Sequence, residues 1–315
     1  MINIKRILCP TDLTAESGQA LRYSVALASA YGSELFLCHR PEAEIVQAAA
    51  AFQGHPRQMP VSRLTADQMF ETALHRFLTP EETSKLNWQG IVITAHDVGE
   101  GIVRAASDFG ADLIVMRSRR RPHRAAILGS TAESVCRTAP CPVLVTHSDE
   151  REWVQPLSTS INIQRVLVPY DFSDYAELAL KYALSFAQEY QAELHLLHVL
   201  PPNSVSEPEI AWSSNSNDSA YHNAARRLQR AVPAEAHLWC EVKHAVSEGH
   251  PYREILNYAE ENAIDLISVG AHGAGFGMRA LFGSNVDRVL RQAPCPVLVA
   301  RHLKPVKPVG TLQMD

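Results

Sequence analysis

The residues best placed to do chemistry lie between Asp265 and Ser284, in the run DLISVGAHGAGFGMRALFGS. An apolar segment ends at Gly270. Gly273, Gly275 and Gly277 follow, and Gly283-Ser284 stand where the next helical period opens. Glycine lets backbone N–H groups close on an anion because no Cβ stands in the way. A helix start adds unpaired donors and a positive dipole end. The Ser284 hydroxyl can donate to a phosphate oxygen or ligate a metal ion attached to it. Together these parts make a phosphate cradle; the bland reading is a flexible connector. The run is not a Walker loop, since G-x-x-x-x-G-K-[ST] occurs nowhere in the chain. Nor does it have dinucleotide G-x-G-x-x-G spacing, because Gly275 and Gly277 are followed by Met278, Arg279 and Ala280. Arg279 either pairs with a phosphate or is simply solvated.

Asp171 supplies a second chemical group, two residues after Pro169 at the end of another apolar segment. A carboxylate there can accept hydrogen bonds from a purine amino group or a ribose hydroxyl. The alternative is that it caps the helix that follows, as Asp12 would do earlier in the chain. His39 and His198 occupy equivalent places and suit a shared packing or hydrogen-bonding role better than metal binding. No H-x-x-x-H pair, His/Cys cluster or nucleophile elbow occurs.

These groups must be carried by a scaffold, and the chain writes that scaffold twice. Ile4 to His39 aligns with Ile163 to His198, so that Pro10, Asp12, Leu21, Tyr23 and His39 recur as Pro169, Asp171, Leu180, Tyr182 and His198. APCPVLV stands at both Ala139–Val145 and Ala293–Val299. Short β-branched runs alternate with helical periods, the pattern of a parallel sheet covered on both faces. Strands are expected over 6–9, 34–39, 91–95, 112–117 and 142–147, then over 164–169, 193–199, 237–244, 265–270 and 296–301. Leu180, Ala183, Leu184 and Ala187 form a core-facing helical stripe behind a cap at Ser173 or Asp174, matched by Leu21, Val25 and Ala28. The expected division is a domain over 1–147, an exposed linker over 148–160, a second domain over 161–302 and a flexible tail over 303–315. Irregular inserts are expected over 42–64 and 201–219, where loops often border binding sites.

Bulk properties narrow the field. The 315 residues suit two domains of roughly 150 residues each. A net charge of −5 gives no reason to expect nucleic acid or an anionic membrane as partner. No apolar run approaches the ~20 residues that span a bilayer. A strand-like segment opens the sequence without a signal-type apolar stretch, so a cytoplasmic protein is expected. The six cysteines lack C-x-x-C spacing and read as reduced core residues.

On G-x-x-G at Gly270–Gly273, nine residues, and then Gly283-Ser284, the sequence resembles the universal stress protein family. Pro169-x-Asp171, Gly249-His250-Pro251 and APCPVLV extend the likeness over almost the whole chain as a tandem pair. The resemblance implies two doubly wound α/β domains, flavodoxin-like or Rossmann-like sandwiches with strand order 3-2-1-4-5. It also implies a pseudo-twofold axis through paired last strands, 143–145 and 297–299. It further implies ATP, with Mg2+, in the second domain: Asp171 and the backbone near Val199 on adenine, and Gly270, Gly273, Gly283 and Ser284 on phosphates. The first half departs from the pattern. Met116-Arg117-Ser118-Arg119 replaces G-x-x-G, side chains should crowd the phosphate path, and only Asp12, Gly129 and Ser130 remain. The arginine-rich stretch Arg117–Arg124 is then a solvated loop, a site for another anion, or a dock for an acidic protein partner. The readings of function are an ATP-binding stress-response module, with a homodimer as one assembly, a slow ATP hydrolase, or a chaperone-like interaction protein without nucleotide. Phosphoryl transfer would need a base that the sequence does not supply beyond Asp171.

Overall fold

In the computed structural model each half begins with a strand, a helix and a second strand. In the first half these are β1 (Arg6–Pro10), α1 (Gly18–Tyr31) and β2 (Glu34–His39). They are followed by α2 (Val61–Leu74), α3 (Pro80–Lys85), β3 (Trp88–Val92), α4 (Val98–Asp108), β4 (Leu113–Arg117), α5 (Ser130–Thr138) and β5 (Val143–Thr146). The second half has β6 (Arg165–Pro169), α6 (Asp174–Tyr190), β7 (Glu193–Leu200), α7 (Ser216–Ala231) and β8 (Val242–Glu248). It closes with α8 (Pro251–Glu261), β9 (Leu266–Gly270), α9 (Ser284–Gln292) and β10 (Val297–Ala300). The structure describes residues 2–41, 61–118, 129–148, 150–154, 159–202, 216–271 and 283–301.

One ten-stranded sheet runs β3-β2-β1-β4-β5-β10-β9-β6-β7-β8. Each half therefore has the expected 3-2-1-4-5 order, parallel throughout. The single antiparallel pairing among these strands joins the halves: Val297 faces Val145, Leu298 faces Leu144 and Val299 faces Val143. The equivalent residues Leu144 and Leu298 thus meet each other, and the flanking valines pair reciprocally, as a pseudo-twofold axis requires. All six of those side chains are buried. An edge strand of a lone unit would leave a row of backbone N–H and C=O groups unpaired, and the seam pairs them for both halves.

Local chemistry accounts for the joints. The repeated Ala-Pro step ends α5 and α9: Ala139 and Ala293 adopt extended ψ values of 144° and 137°, since a following proline disfavours the helical region. Gly32 ends α1 in the left-handed conformation, its N–H donating to the Ala28 carbonyl; Gln191 ends α6 in the same way on Ala187. Each sheet face carries one continuous layer of buried apolar side chains, and both layers draw on both halves.

Three expectations need correction. The third strand of the first half is Trp88–Val92 and not 91–95. The β-branched run around Ile91 misleads, because the ladder starts where Trp88 pairs with Leu35. In the second half, 237–244 is only partly strand. Pro233 sets up a 3₁₀ turn over Ala234–Leu238, and pairing with β7 begins at Val242. The segment joining the halves is not simply exposed. Trp153 and Val154 are fully buried, and Val154 forms a bridge with Ile161. The inserts expected over 42–64 and 201–219 run into helices α2 and α7; residues 42–60 and 203–215, like the tail from 302, lie outside the described residues.

Candidate functional site

The carboxyl ends of β6 and β9 part at the point where strand order reverses, which is where open α/β sheets hold ligands. A cavity of about 350 Å3 opens there, within the usual range for ligand pockets. It brings together Asp171, Val199, Gly270, Gly283 and Ser284. Gly273 and Arg279 lie outside the described residues, as do Gly275 and Gly277.

Each wall has a local cause. Asp171 does not cap α6; Ser173 does, its hydroxyl accepting from the Ala176 N–H at 3.2 Å. Asp171 Oδ1 instead accepts from the Ser173 N–H at 3.1 Å and from its hydroxyl at 2.6 Å. This Asx turn holds Phe172 at φ 63°, an uncommon conformation for a residue with a side chain. Asp12 makes the same two bonds to Thr14, and Leu13 sits at φ 62°. The turn is therefore a property of both copies, independent of the glycines. The Arg227 guanidinium, on α7, lies 3.7 Å from the centre of the Phe172 ring, fastening that helix to the turn.

His198 Nδ1 donates to the Tyr170 carbonyl at 2.8 Å, and His39 Nδ1 to the Thr11 carbonyl at 2.9 Å. Both histidines tie the ends of adjacent strands together, the hydrogen-bonding role expected of them. Among the described residues no group of His, Cys, Asp and Glu is arranged to hold a metal ion.

The two glycines at the site have different causes. At Gly270 a Cβ would lie 2.6 Å from Tyr175 Cβ and 2.7 Å from the Tyr175 backbone, so glycine is needed for α6 to approach β9. Among the described residues an added Cβ at Gly283 would meet only Val286, at 3.6 Å, and the backbone has φ −56°. Neither packing against the described residues nor conformation demands glycine there. Among the described residues, glycine there leaves room in front of α9, whose start has no side-chain cap. Sequence reasoning missed the apolar walls of the cavity, Tyr170, Ile255 and Val269, together with Asn285 on the first turn of α9. Tyr170 adjoins Asp171 and was within reach; the others become neighbours only through the fold.

The first half also has a cavity at this point, of about 510 Å3, lined in part by Asp12, Arg117, Gly129 and Ser130. Residues 119–128, with most of the arginine-rich stretch, lie outside the described residues.

Solved structures share this architecture. A universal stress protein from Archaeoglobus fulgidus superposes with a TM-score of 0.60 over 95% of this chain and 97% of that one, at 24% identity. The protein PA1789 of Pseudomonas aeruginosa gives 0.65 over 94% and 92%, at 19% identity. The profile of the Universal stress protein family matches twice, over residues 3–147 and 162–301, and the chain belongs to that family as a tandem two-domain member. Universal stress protein MJ0577 of Methanocaldococcus jannaschii is 26% identical over 158 residues, 45% of this chain and 98% of that one. Universal stress protein Rv2623 of Mycobacterium tuberculosis is 31% identical over 204 residues, 62% of this chain and 64% of that one.

Proposed function

We propose that the second half binds ATP with Mg2+ and that the protein is a nucleotide-responsive binding module, not an efficient enzyme. The observation that carries this reading is the uncapped start of α9 behind Gly283, in one cavity with Asp171 and Val199. Helix-start N–H groups and the Ser284 hydroxyl suit phosphate oxygens. The Tyr170, Ile255 and Val269 side chains offer an apolar bed for a purine, with the Asp171 carboxylate at its rim. Gly273 and Arg279 would continue the phosphate path. Mg2+ would be held by the phosphates and the Ser284 hydroxyl, where it would neutralise phosphate charge.

A slow hydrolase remains the second reading. Among the described residues lining this cavity, Asp171 is the sole carboxylate, and its Oδ1 already orders the turn. A cytoplasmic location, a homodimer and an acidic partner for the arginine-rich stretch belong to the same proposal; among the described residues no helix is long and apolar enough to cross a membrane.

Calorimetry with MgATP tests the assignment. One ATP should bind per chain, and Gly283→Val should abolish the heat without lowering the melting temperature. Absence of ATP binding to the unaltered chain, or binding undiminished by Gly283→Val, would overturn it.

A further inference from the structure

Among the positions that differ between the cavities of the two halves, two carry arginine in the first half only. Arg117 ends β4 opposite Thr146, as Gly270 ends β9 opposite Ala300. Arg40 follows His39, as Val199 follows His198, and the histidines make matching bonds to the strand alongside. The places expected to serve phosphate and adenine in one half therefore carry guanidinium groups in the other.

The neighbourhood has adapted to the change. Gly270 is pressed against Tyr175, whereas Arg117 Nη1 lies 3.0 Å from Glu16, the residue at the matching place. Glu16 is 69% exposed, so water weakens that pairing. Arg117 is only 14% exposed, and its Nε is buried without a hydrogen-bond partner among the described residues. A buried donor left in that state favours any acceptor that can reach it. Gly129 and Ser130 persist at the start of α5, which has no side-chain cap and where an added Cβ at Gly129 would touch nothing among the described residues. Ile93, Ile102 and Met116 supply a buried apolar wall to the same cavity.

We infer that the first half carries a ligand site of its own, for a small organic anion: one phosphomonoester or carboxylate group on an apolar body. The anionic group is held by Arg117 and the start of α5, with Arg40 at the mouth, and the apolar body rests on Ile93, Ile102 and Met116. Planar guanidinium groups bind both kinds of oxyanion in a bidentate manner. ATP is not the expected occupant, because Arg117 and Arg40 stand where the second half has Gly270 and Val199.

Phenyl phosphate and benzoate are suitable probes, titrated calorimetrically into the full chain with and without saturating MgATP. One of them should bind once per chain, unaffected by ATP and by Gly283→Val; which of the two binds identifies the oxyanion. Arg117→Gln should weaken it about tenfold, the equivalent of one charge-assisted hydrogen bond. Arg40→Ala, at an exposed position, should weaken it less and settles the matter should Arg117→Gln not fold. Failure of both probes to bind, displacement by ATP, or affinity unchanged in both arginine variants would overturn the inference. ATP binding in the second half is read separately in the same titrations.

Discussion

Trp153, in the segment joining the halves, stands edge-on to Tyr23 of α1, with ring centroids 4.3 Å apart and planes at 72°. The Tyr23 hydroxyl accepts from the Trp153 N–H at 3.2 Å. Arg22 pairs with Glu152 on the same stretch, and Gln19 donates to Glu152 at 2.9 Å. The connection is thus a packed element of the first half. Trp153→Ala should destabilise the protein by about 3–5 kcal/mol, whereas Tyr23→Phe, which removes only the hydrogen bond, should cost about 0.5–1.5 kcal/mol. Urea denaturation of the two variants checks the order; equal effects would show that ring packing contributes nothing.

The glycines at the candidate site should separate by assay. Gly270→Ala drives a methyl into the Tyr175 backbone and should lower stability by about 1–3 kcal/mol. Gly283→Ala meets no such obstacle and should leave stability within about 0.5 kcal/mol while weakening ATP. Thermal melts alongside ATP titrations decide, and a destabilised Gly283→Ala would contradict the steric argument.

Asp171 serves its turn through Oδ1, which asparagine can supply equally. Asp171→Asn should therefore fold normally and lose ATP affinity by roughly tenfold, about 1.4 kcal/mol. Asp171→Ala should lose the turn as well, so its melting temperature should fall. Should Asp171→Asn bind ATP as tightly as the unaltered chain, the carboxylate has no part in the ligand site.

His195 is buried on β7, its Nδ1 3.0 Å from the Tyr258 hydroxyl and its Nε2 3.3 Å from Glu193 Oε2. Lys243 and Arg165 also face Glu193. Burial lowers the His195 pKa more than Glu193 raises it. The unfolded imidazole takes its proton near pH 6.5 and the folded one only at lower pH, so stability is full above about 6.5 and falls as pH drops below it. His244 is lowered in the same direction, by burial and then by the charge of His237, and adds to the effect. His195→Gln should flatten the acid limb of a stability–pH curve without removing it. A curve of unchanged slope would show that His195 does not titrate there.

Burial pushes the Cys9, Cys38, Cys136 and Cys141 thiols up to about 12, and Cys295 well above its ordinary value. Cys240 is half-buried and is raised by the same cause. A thiol reagent at pH 8 should label Cys240 first in the native protein and all six cysteines after denaturation. Rapid native labelling of several cysteines would contradict the buried, reduced core.

Much of this fold was legible because its signals are local and repeated. The APCPVLV runs and the stripe through Leu180, Ala183 and Ala187 depend on neighbours in sequence, and both gave elements in the expected places. The antiparallel seam was expected from the family resemblance, and the strands Val143–Thr146 and Val297–Ala300 that form it are buried. The misplaced strands β3 and β8 are the two outermost, each paired on one side only and of mixed polarity, so their periodicity is weak. At the site, glycine spacing pointed to Gly283 and Ser284, but it could not separate the glycine that helix packing demands from the one that leaves room. Nor could it show that Arg117 has Glu16 as its counterpart, since those residues meet only across the fold.

The seam between Leu144 and Leu298 has an evolutionary corollary. Two separate copies of one polypeptide must share every mutation, so a novelty in one binding hollow is imposed on its twin. Fusing the pair into a single gene product lifts that constraint. Arginine could enter at 117 while glycine stayed at 270, leaving one lobe free to explore new ligands as the other kept its inherited shape.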